Sequence, residues 1–307
     1  MSASVPGTAG RVRVRDDLAG MVPYGAPQLD VPVRLNTNET PYAVPPEVLD
    51  DLAETVRGLE LHRYPDREAT ELREALALHA GHGFEGTWAA NGSNEVLQQL
   101  LLAFAGPGRT ALVVEPTYAM HSLLARATGT HLVTRVQPRD QLLDPPAAAD
   151  LLSRHPNLVV TRTFSKAFRM AGLRLGYLLA DPAVVDGVRL VRLPYHLSAL
   201  TQLVGLRALH HKGVLMSHVV ATERERERVA AALDRLPGVR VLPSDANFLC
   251  FETPVDPRVL WRGLLDRGVL VRDVSRYPTL ERHLRVTIGT PAEDDAFLTA
   301  LAEELDR

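Results

Sequence analysis

Short apolar runs rich in valine alternate along this chain with longer segments whose leucines recur at helical spacing. That alternation restricts the chain to an α/β fold on a largely parallel sheet, because successive parallel strands need a crossover to carry the chain back. Strands are expected in TALVVEP (residues 110–116), THLVTRV (130–136) and NLVVTRT (157–163). Helices are expected at 68–80, at 94–105, closed by Gly-Pro-Gly, and at about 120–127. After Pro194 the pattern changes to a long helix over 198–210, a charged helix from near Thr222, and apolar runs within 238–253 and 283–290 around a helix near Leu260. A smaller α/β unit is therefore expected at the C-terminal end. The division reads as an N-terminal arm over 1–35, a large domain over 36–210 and a small domain over 211–307.

With 307 residues, 46% hydrophobic and 23% charged, the chain is long enough for one large or two moderate cores. A formal net charge of −3 gives no electrostatic reason for a nucleic-acid or anionic-membrane partner. No apolar run approaches the roughly 20 residues that span a bilayer. The first residues, MSASVPGTAGRVRVRDDLAG, carry charges and no apolar stretch of the secretory kind, so a cytoplasmic location is expected. Cys250, the single cysteine, lies in NFLCF and reads as a buried, inert thiol. The eleven histidines are scattered without companion ligands at zinc-site spacing, and no metal is expected. TERERERV (222–229) alternates in sign and reads as a solvated helix face braced by Glu–Arg pairs three apart.

Two stretches carry chemistry. In NLVVTRTFSKAFRMAGLRLGY (157–177), Lys166 follows a buried strand in a loop, the place where α/β sheets build their sites. Its amine can form a Schiff base if its surroundings lower its pKa; the spacing alone fits a surface lysine on a turn equally well. In AANGSNEVLQQLL (89–101), Gly92-Ser93-Asn94 opens a helix whose free N–H groups and dipole can hold a phosphate. Alone, that pattern is more often a serine cap with no ligand. Lys166, the Gly92 helix start and Arg174 together point to one cofactor that needs both aldehyde capture and phosphate binding, which is pyridoxal 5'-phosphate.

The motifs YGAPQLDVPVRLNTNETPY (24–42), RYPD (63–66), AANGSNE (89–95), EPTYAMH (115–121), TRTFSKAFRMAGLRLGY (161–177) and LRVTIGTPAEDDAF (284–297) occur in order along the chain. Through them the chain resembles the fold-type-I, pyridoxal-phosphate-dependent aminotransferases, and within that group the histidinol-phosphate aminotransferase family. The resemblance runs from about Arg11 to the C-terminus. It implies a three-layer α/β/α large domain and amino transfer between L-histidinol phosphate and 2-oxoglutarate. By motif, Lys166 matches the lysine that holds the cofactor covalently and moves the proton at the α-carbon. Ser93, Asn94, Ser165 and Arg174 match the phosphate-binding positions. Tyr64 matches a tyrosine that reaches the phosphate of the neighbouring subunit, which implies a homodimer. Tyr118 matches the ring lying over the pyridine, Arg285 the arginine that pairs with the glutamate carboxylate, and Asn38 and Tyr42 residues near the substrate. Core packing for Tyr118 and a surface ion pair for Arg285 are the plainer alternatives.

One departure from the family pattern stands out. Between THLVTRV and NLVVTRT the family carries further strands and a helix, whereas this chain has only the connector QPRDQLLDPPAAAD followed by LLSRHP, so a segment is missing between about Ala149 and Leu151. One βαβ unit takes about 30 residues or more, and the connector cannot conceal it. The missing segment would supply the aspartate that pairs with the pyridine nitrogen, the asparagine and tyrosine that bond the ring oxygen, and central strands of the sheet. The sheet should therefore be shortened, with flanking strands either re-paired or left with open edges. Asp140, Asp144 and Asp150 in the connector are candidates for a replacement anion and fit helix caps and solvated turns better. An aromatic (phenylalanine) aminotransferase, a catalytically silent binding protein and a chain that does not fold stably are the competing readings.

Overall fold

The computed structural model describes residues 14–136 and 151–307, and the connector aspartates Asp140, Asp144 and Asp150 lie outside them. In chain order, β1 (Val33–Arg34), α1 (Pro46–Arg57), α2 (Thr70–Ala80), β2 (Thr87–Ala90), α3 (Ser93–Phe104), β3 (Thr110–Glu115), α4 (Met120–Ala127) and β4 (His131–Val136) come first. β5 (Val159–Thr163), β6 (Gly176–Ala180), α5 (Pro182–Val191), α6 (Ala199–His210), the short α7 (Lys212–Leu215) and α8 (Val219–Leu233) follow. The chain closes with β7 (Arg240–Val241), β8 (Phe248–Glu252), α9 (Pro257–Asp266), β9 (Val269–Leu270), β10 (Arg272–Asp273), β11 (His283–Thr287) and α10 (Pro291–Leu305).

The α/β class expected from the sequence holds, but the largely parallel sheet does not: among the described residues only β1–β9 and β3–β4 pair in parallel, and every other strand pair is antiparallel. Local chemistry explains where the helices begin. α2 starts at Thr70 rather than 68 because Asp66 accepts from the Thr70 amide at 2.6 Å and from the Glu68 amide at 2.9 Å. The Glu68 side chain is drawn instead to Arg189 and Arg192, at 2.9 and 2.7 Å. α5 is capped by Asp181 ahead of Pro182, and α10 by a reciprocal Thr290–Glu293 box ahead of Pro291. Leu72 and Leu76 of α2 bury against Phe164, Leu175 and Leu179, which fixes that helix over the lysine strand.

The shortened sheet takes the form of two pieces. β2, β6 and β5 pair in that order, with β6 antiparallel to both neighbours, while β3 and β4 form a separate parallel pair. Among the described residues, no strand pairs with the outer edge of β5 or with the free edge of β3. Parallel strands are normally covered on both faces. Here Leu112, Val114 and Val133 share one face of the β3–β4 pair and are 60%, 44% and 40% exposed, whereas Val113, on the opposite face, is buried. These two strands thus present an open apolar face.

A second core gathers around β8 and β11, in a sheet of order β10-β11-β8-β7, and includes Phe251, Leu284, Val286 and Phe297. Leu35 belongs to it, because β1 runs parallel to β9 in the register Val33↔Val269. Cys250 on β8 is only half-buried, opposite Arg285. The charged helix departs from its expected solvated face. Arg228 does pair with Glu225 three residues back, at 2.6 Å, but Glu225 is buried against Asp294 of α10. Asp294 is itself fully buried and accepts from the Gly289 amide at 3.0 Å. Among the described residues no helix is long and apolar enough to cross a membrane.

Two outcomes follow from these packings. Burial pushes the Asp294 carboxyl up to about 7, against the lowering effect of the Gly289 amide, and the Glu225 charge adds to the rise. An unfolded aspartate titrates near 3.9, so the folded protein holds a proton that the unfolded chain has lost between about pH 4 and pH 7. That stability is fully present below the unfolded value and is lost as pH rises through the folded one. Urea unfolding of wild type and Asp294→Asn across this window should show the wild type losing stability relative to the variant as pH rises. Separately, Leu112→Lys should change the unfolding free energy by less than about 0.5 kcal/mol while reducing self-association measured by sedimentation velocity.

Candidate active site

The lysine turn is built by two phenylalanines. Phe164 and Phe168, four residues apart, stack at 4.2 Å and are buried, which anchors both ends of the turn and directs Lys166 between them toward residues 36–40. Hydrogen bonds from the Phe164 amide to Leu175 O at 3.0 Å and from the Arg169 amide to Lys166 O at 2.9 Å close the turn. Lys166 Nζ donates to the Thr37 carbonyl at 3.1 Å. Burial brings its pKa down from 10.5 to about 8; Glu39 opposes that fall, while Arg285 and Arg174 add to it. At pH 7 about one amine in ten is then uncharged, against about one in three thousand at the ordinary value. The surface-lysine alternative fails on this environment.

Beside the lysine turn lies a cradle. In the β5–β6 register Thr163 faces Gly176, and Gly176 packs on the turn before α3 so closely that a Cβ there would lie 2.3 Å from Ser93 N. Gly92 takes φ 79°, and a Cβ on it would lie 2.8 Å from Arg174 Nη2. The first amides of α3 have no intrahelical acceptor, and the guanidinium of Arg174 lies over the turn they point from. Arg174 itself adopts φ 56° and donates to Ala171 O at 3.0 Å. Ser165 is at the same end of the sheet, its amide and hydroxyl tied to Thr163 Oγ1 at 3.1 and 3.0 Å.

Aromatic and polar groups surround these two features. Tyr118, just past β3, is hydrogen-bonded to Asn94 and meets Tyr24 edge-on at 5.9 Å. Burial raises its phenol pKa, with the Asn94 bond acting against the rise. Arg285 on β11 donates to Asn36 O at 2.9 Å, and its guanidinium lies 5.1 Å from the Phe248 ring. Its buried Nε has no partner, and burial followed by the nearby Arg272 lowers its pKa. Such a group is neither a surface ion pair nor satisfied. Asn38, at φ 56°, is fixed by its amide to Thr287 Oγ1 at 2.9 Å and by Asn247 donating to its carbonyl at 2.9 Å.

Tyr42 and Tyr64 have other contacts. The Tyr42 ring lies 5.4 Å from His218 and 5.7 Å from the Arg169 guanidinium. Tyr64 is 80% exposed and stacks on Tyr195 at 4.4 Å; the next residue, His196, accepts at its carbonyl from Asn91 Nδ2 at 2.6 Å. A cleft of about 270 Å³ adjoins Lys166, lined among others by Thr40, Pro41, His218, Asn247 and Ile288. Neither Ser93 nor Tyr118 lines it, and Tyr118 is 42% exposed. Sequence reasoning gave no role to Tyr24, Glu39, Asn247 or Thr287. Tyr24, Glu39 and Thr287 fall inside quoted motifs, and Asn247 meets the site only through the fold.

The family model for aminotransferase class I and II matches residues 31–150 and 139–301, two pieces that meet in the connector. Histidinol-phosphate aminotransferase of Paenarthrobacter aurescens is 43% identical, with 96% of each chain covered. That of Streptomyces avermitilis is 45% identical, covering 94% of this chain and 96% of its own length. The alignments run over 361 and 358 positions, more than the 307 residues present here, so both relatives carry sequence that this chain lacks. Among solved structures, histidinol-phosphate aminotransferase from Sinorhizobium meliloti, in complex with pyridoxal-5'-phosphate, has the same fold at a TM-score of 0.83 and 20% identity, with 97% of this chain and 99% of that one covered. With relatives this similar over nearly its whole length, the chain belongs to the aminotransferase class I and II family, alongside the histidinol-phosphate aminotransferases.

Proposed function

We propose that this chain transfers an amino group between L-histidinol phosphate and 2-oxoglutarate with pyridoxal 5'-phosphate as its cofactor. The observation that carries the reading is a half-buried amine with a pKa of about 8 beside a helix start that is kept free of Cβ atoms under an arginine. The residues present fit a phosphate-bearing aldehyde, since a Cβ at Gly92 or Gly176 would fill the cradle. When bound, the cofactor would supply the aldehyde for amine exchange and a conjugated ring to accept electron density as the α-carbon loses its proton, a weaker acceptor here for want of the aspartate that the missing segment would carry.

The chain's own residues do the rest. The amides of Ser93 and Asn94, the Ser165 hydroxyl and the Arg174 guanidinium bind the phosphate. Lys166 Nζ, neutral often enough to act as nucleophile and base, would hold the cofactor and take and return the proton at the α-carbon of the donor. Tyr118 covers the ring. Arg285, with a buried and unpartnered Nε, offers its fork to the carboxylate of 2-oxoglutarate. Asn38 and Tyr42 contact the donor. The same reading makes the protein a cytoplasmic homodimer in which exposed Tyr64 reaches the phosphate site of the partner subunit. It also divides the chain into an arm, a large domain and a small domain near residues 35 and 210.

Transfer from L-histidinol phosphate should exceed transfer from phenylalanine when both are assayed side by side, and a preference for phenylalanine would reassign the substrate. Lys166→Ala should lower transfer by at least about 10²-fold and abolish the visible absorbance that develops on mixing with pyridoxal phosphate. In the wild type, the rate of that uptake should climb with pH through about 8, because the uncharged amine reacts. A climb centred near the ordinary lysine value would remove the support for Lys166.

A further inference from the structure

Arg169 stands at this site without a part in the reaction as derived above. It lies three residues beyond Lys166 with φ 57°, in the left-handed region where a side chain is disfavoured and glycine is the usual occupant. Its guanidinium joins separate parts of the fold. Nε donates to His218 Nδ1 at 2.8 Å, Nη1 to Ala43 O at 3.0 Å and Nη2 to Ser217 Oγ at 3.2 Å. The Tyr42 ring lies close to both, 5.7 Å from the guanidinium and 5.4 Å from His218. Backbone kept in a sparsely populated conformation persists where its surroundings over-determine it, and such positions gather at ligand clamps.

Two local effects follow. The Tyr42 amide has only a long bond to Thr40 Oγ1, at 3.4 Å, so the Arg169 bond to Ala43 O is the shorter tie on that loop. His218 Nδ1 lies 2.8 Å from Arg169 Nε and 3.0 Å from Leu215 O, so with the arginine in place Nδ1 accepts from Nε and the ring proton sits on Nε2, whereas without it an Nδ1–H can donate to Leu215 O. His218 lines the cleft beside Lys166. Deleting the guanidinium would loosen the Tyr42 loop and free the His218 tautomer, while the lysine turn would keep the backbone bond from residue 169 to Lys166 O.

We propose that Arg169 is a positioning residue that sets affinity for the amino donor by holding Tyr42 and the His218 tautomer in place before the donor arrives. The proposal rests on the reading of Tyr42 as a donor-contacting residue. Arg169→Gly deletes the side chain and suits the left-handed backbone, so folding is spared; Arg169→Lys keeps the charge and a single donor group. The expected result for Arg169→Gly is a KM for L-histidinol phosphate raised about tenfold, with kcat within about twofold and the KM for 2-oxoglutarate unchanged. Arg169→Lys should fall between it and the wild type. In the protein without cofactor, the ¹⁵N shifts of His218 should report a single Nε2–H form in the wild type and a mixture in Arg169→Gly. A fall in kcat at constant KM, a parallel rise in both KM values, or the same His218 shifts in both proteins would overturn the proposal. Were the wild type to transfer nothing, the functional reading would fail by itself. Calorimetric affinity for L-histidinol phosphate, judged by the same tenfold criterion, together with the His218 shifts would then decide the clamp.

Discussion

The start of α3 and the start of β6 meet with no room for a side chain on either, and the site depends on that contact. Gly176 touches the Gly92–Ser93 turn at a separation that excludes a Cβ, which brings the free amides of the helix to the strand next to the one that leads into the lysine turn. Arg174, two residues before Gly176, is thereby laid over the helix start, and its left-handed backbone is the cost of reaching there. On the other side, the Phe164–Phe168 stack fixes the lysine. Two rigid contacts thus set the spacing between an anion cradle and an amine.

Part of the backbone strain lies where the chemistry is, in three of the six described non-glycine residues with positive φ. Asn38, Arg169 and Arg174 are non-glycine residues with positive φ, and all three border Lys166 or its cradle. Each costs of order 1 kcal/mol or more. They are held by cores that are conventional elsewhere, with Leu72, Leu76 and Leu175 under the lysine strand and Phe251, Leu284 and Phe297 beneath Arg285.

Much of this was legible in the sequence for identifiable reasons. β3 and β5 announce themselves through consecutive valines, β4 through Leu132-Val133, and α2 and α3 through leucines at helical spacing. Lys166, the Gly92 turn and Arg174 stand out because their neighbours are short-range: a strand end, a helix start, a glycine. β2 was hidden because it is only four residues long and half of it is alanine, which is depleted in strands, although all four residues are buried. Glu225 defeated the expectation of a solvated face because its burial depends on Asp294, nearly seventy residues later in the sequence, and charge pattern alone says nothing about a distant helix. Arg169 gave no sign either; its three side-chain partners come from the Tyr42 loop and the corner between α7 and α8.

The separation of β3 and β4 from the β2-β6-β5 sheet bears on how Tyr118 meets the lysine turn. Tyr118 follows β3, while Lys166 follows β5, and no ladder joins those strands among the described residues. Their alignment is transmitted instead through α3 and through single contacts such as Asn94 and Tyr24 with Tyr118. A hydrogen-bonded ladder is stiff along the strand; a helix packed on side chains can slide and tilt. The two walls of the pocket are therefore hinged rather than welded, and how tightly the aromatic closes is set by a handful of side chains.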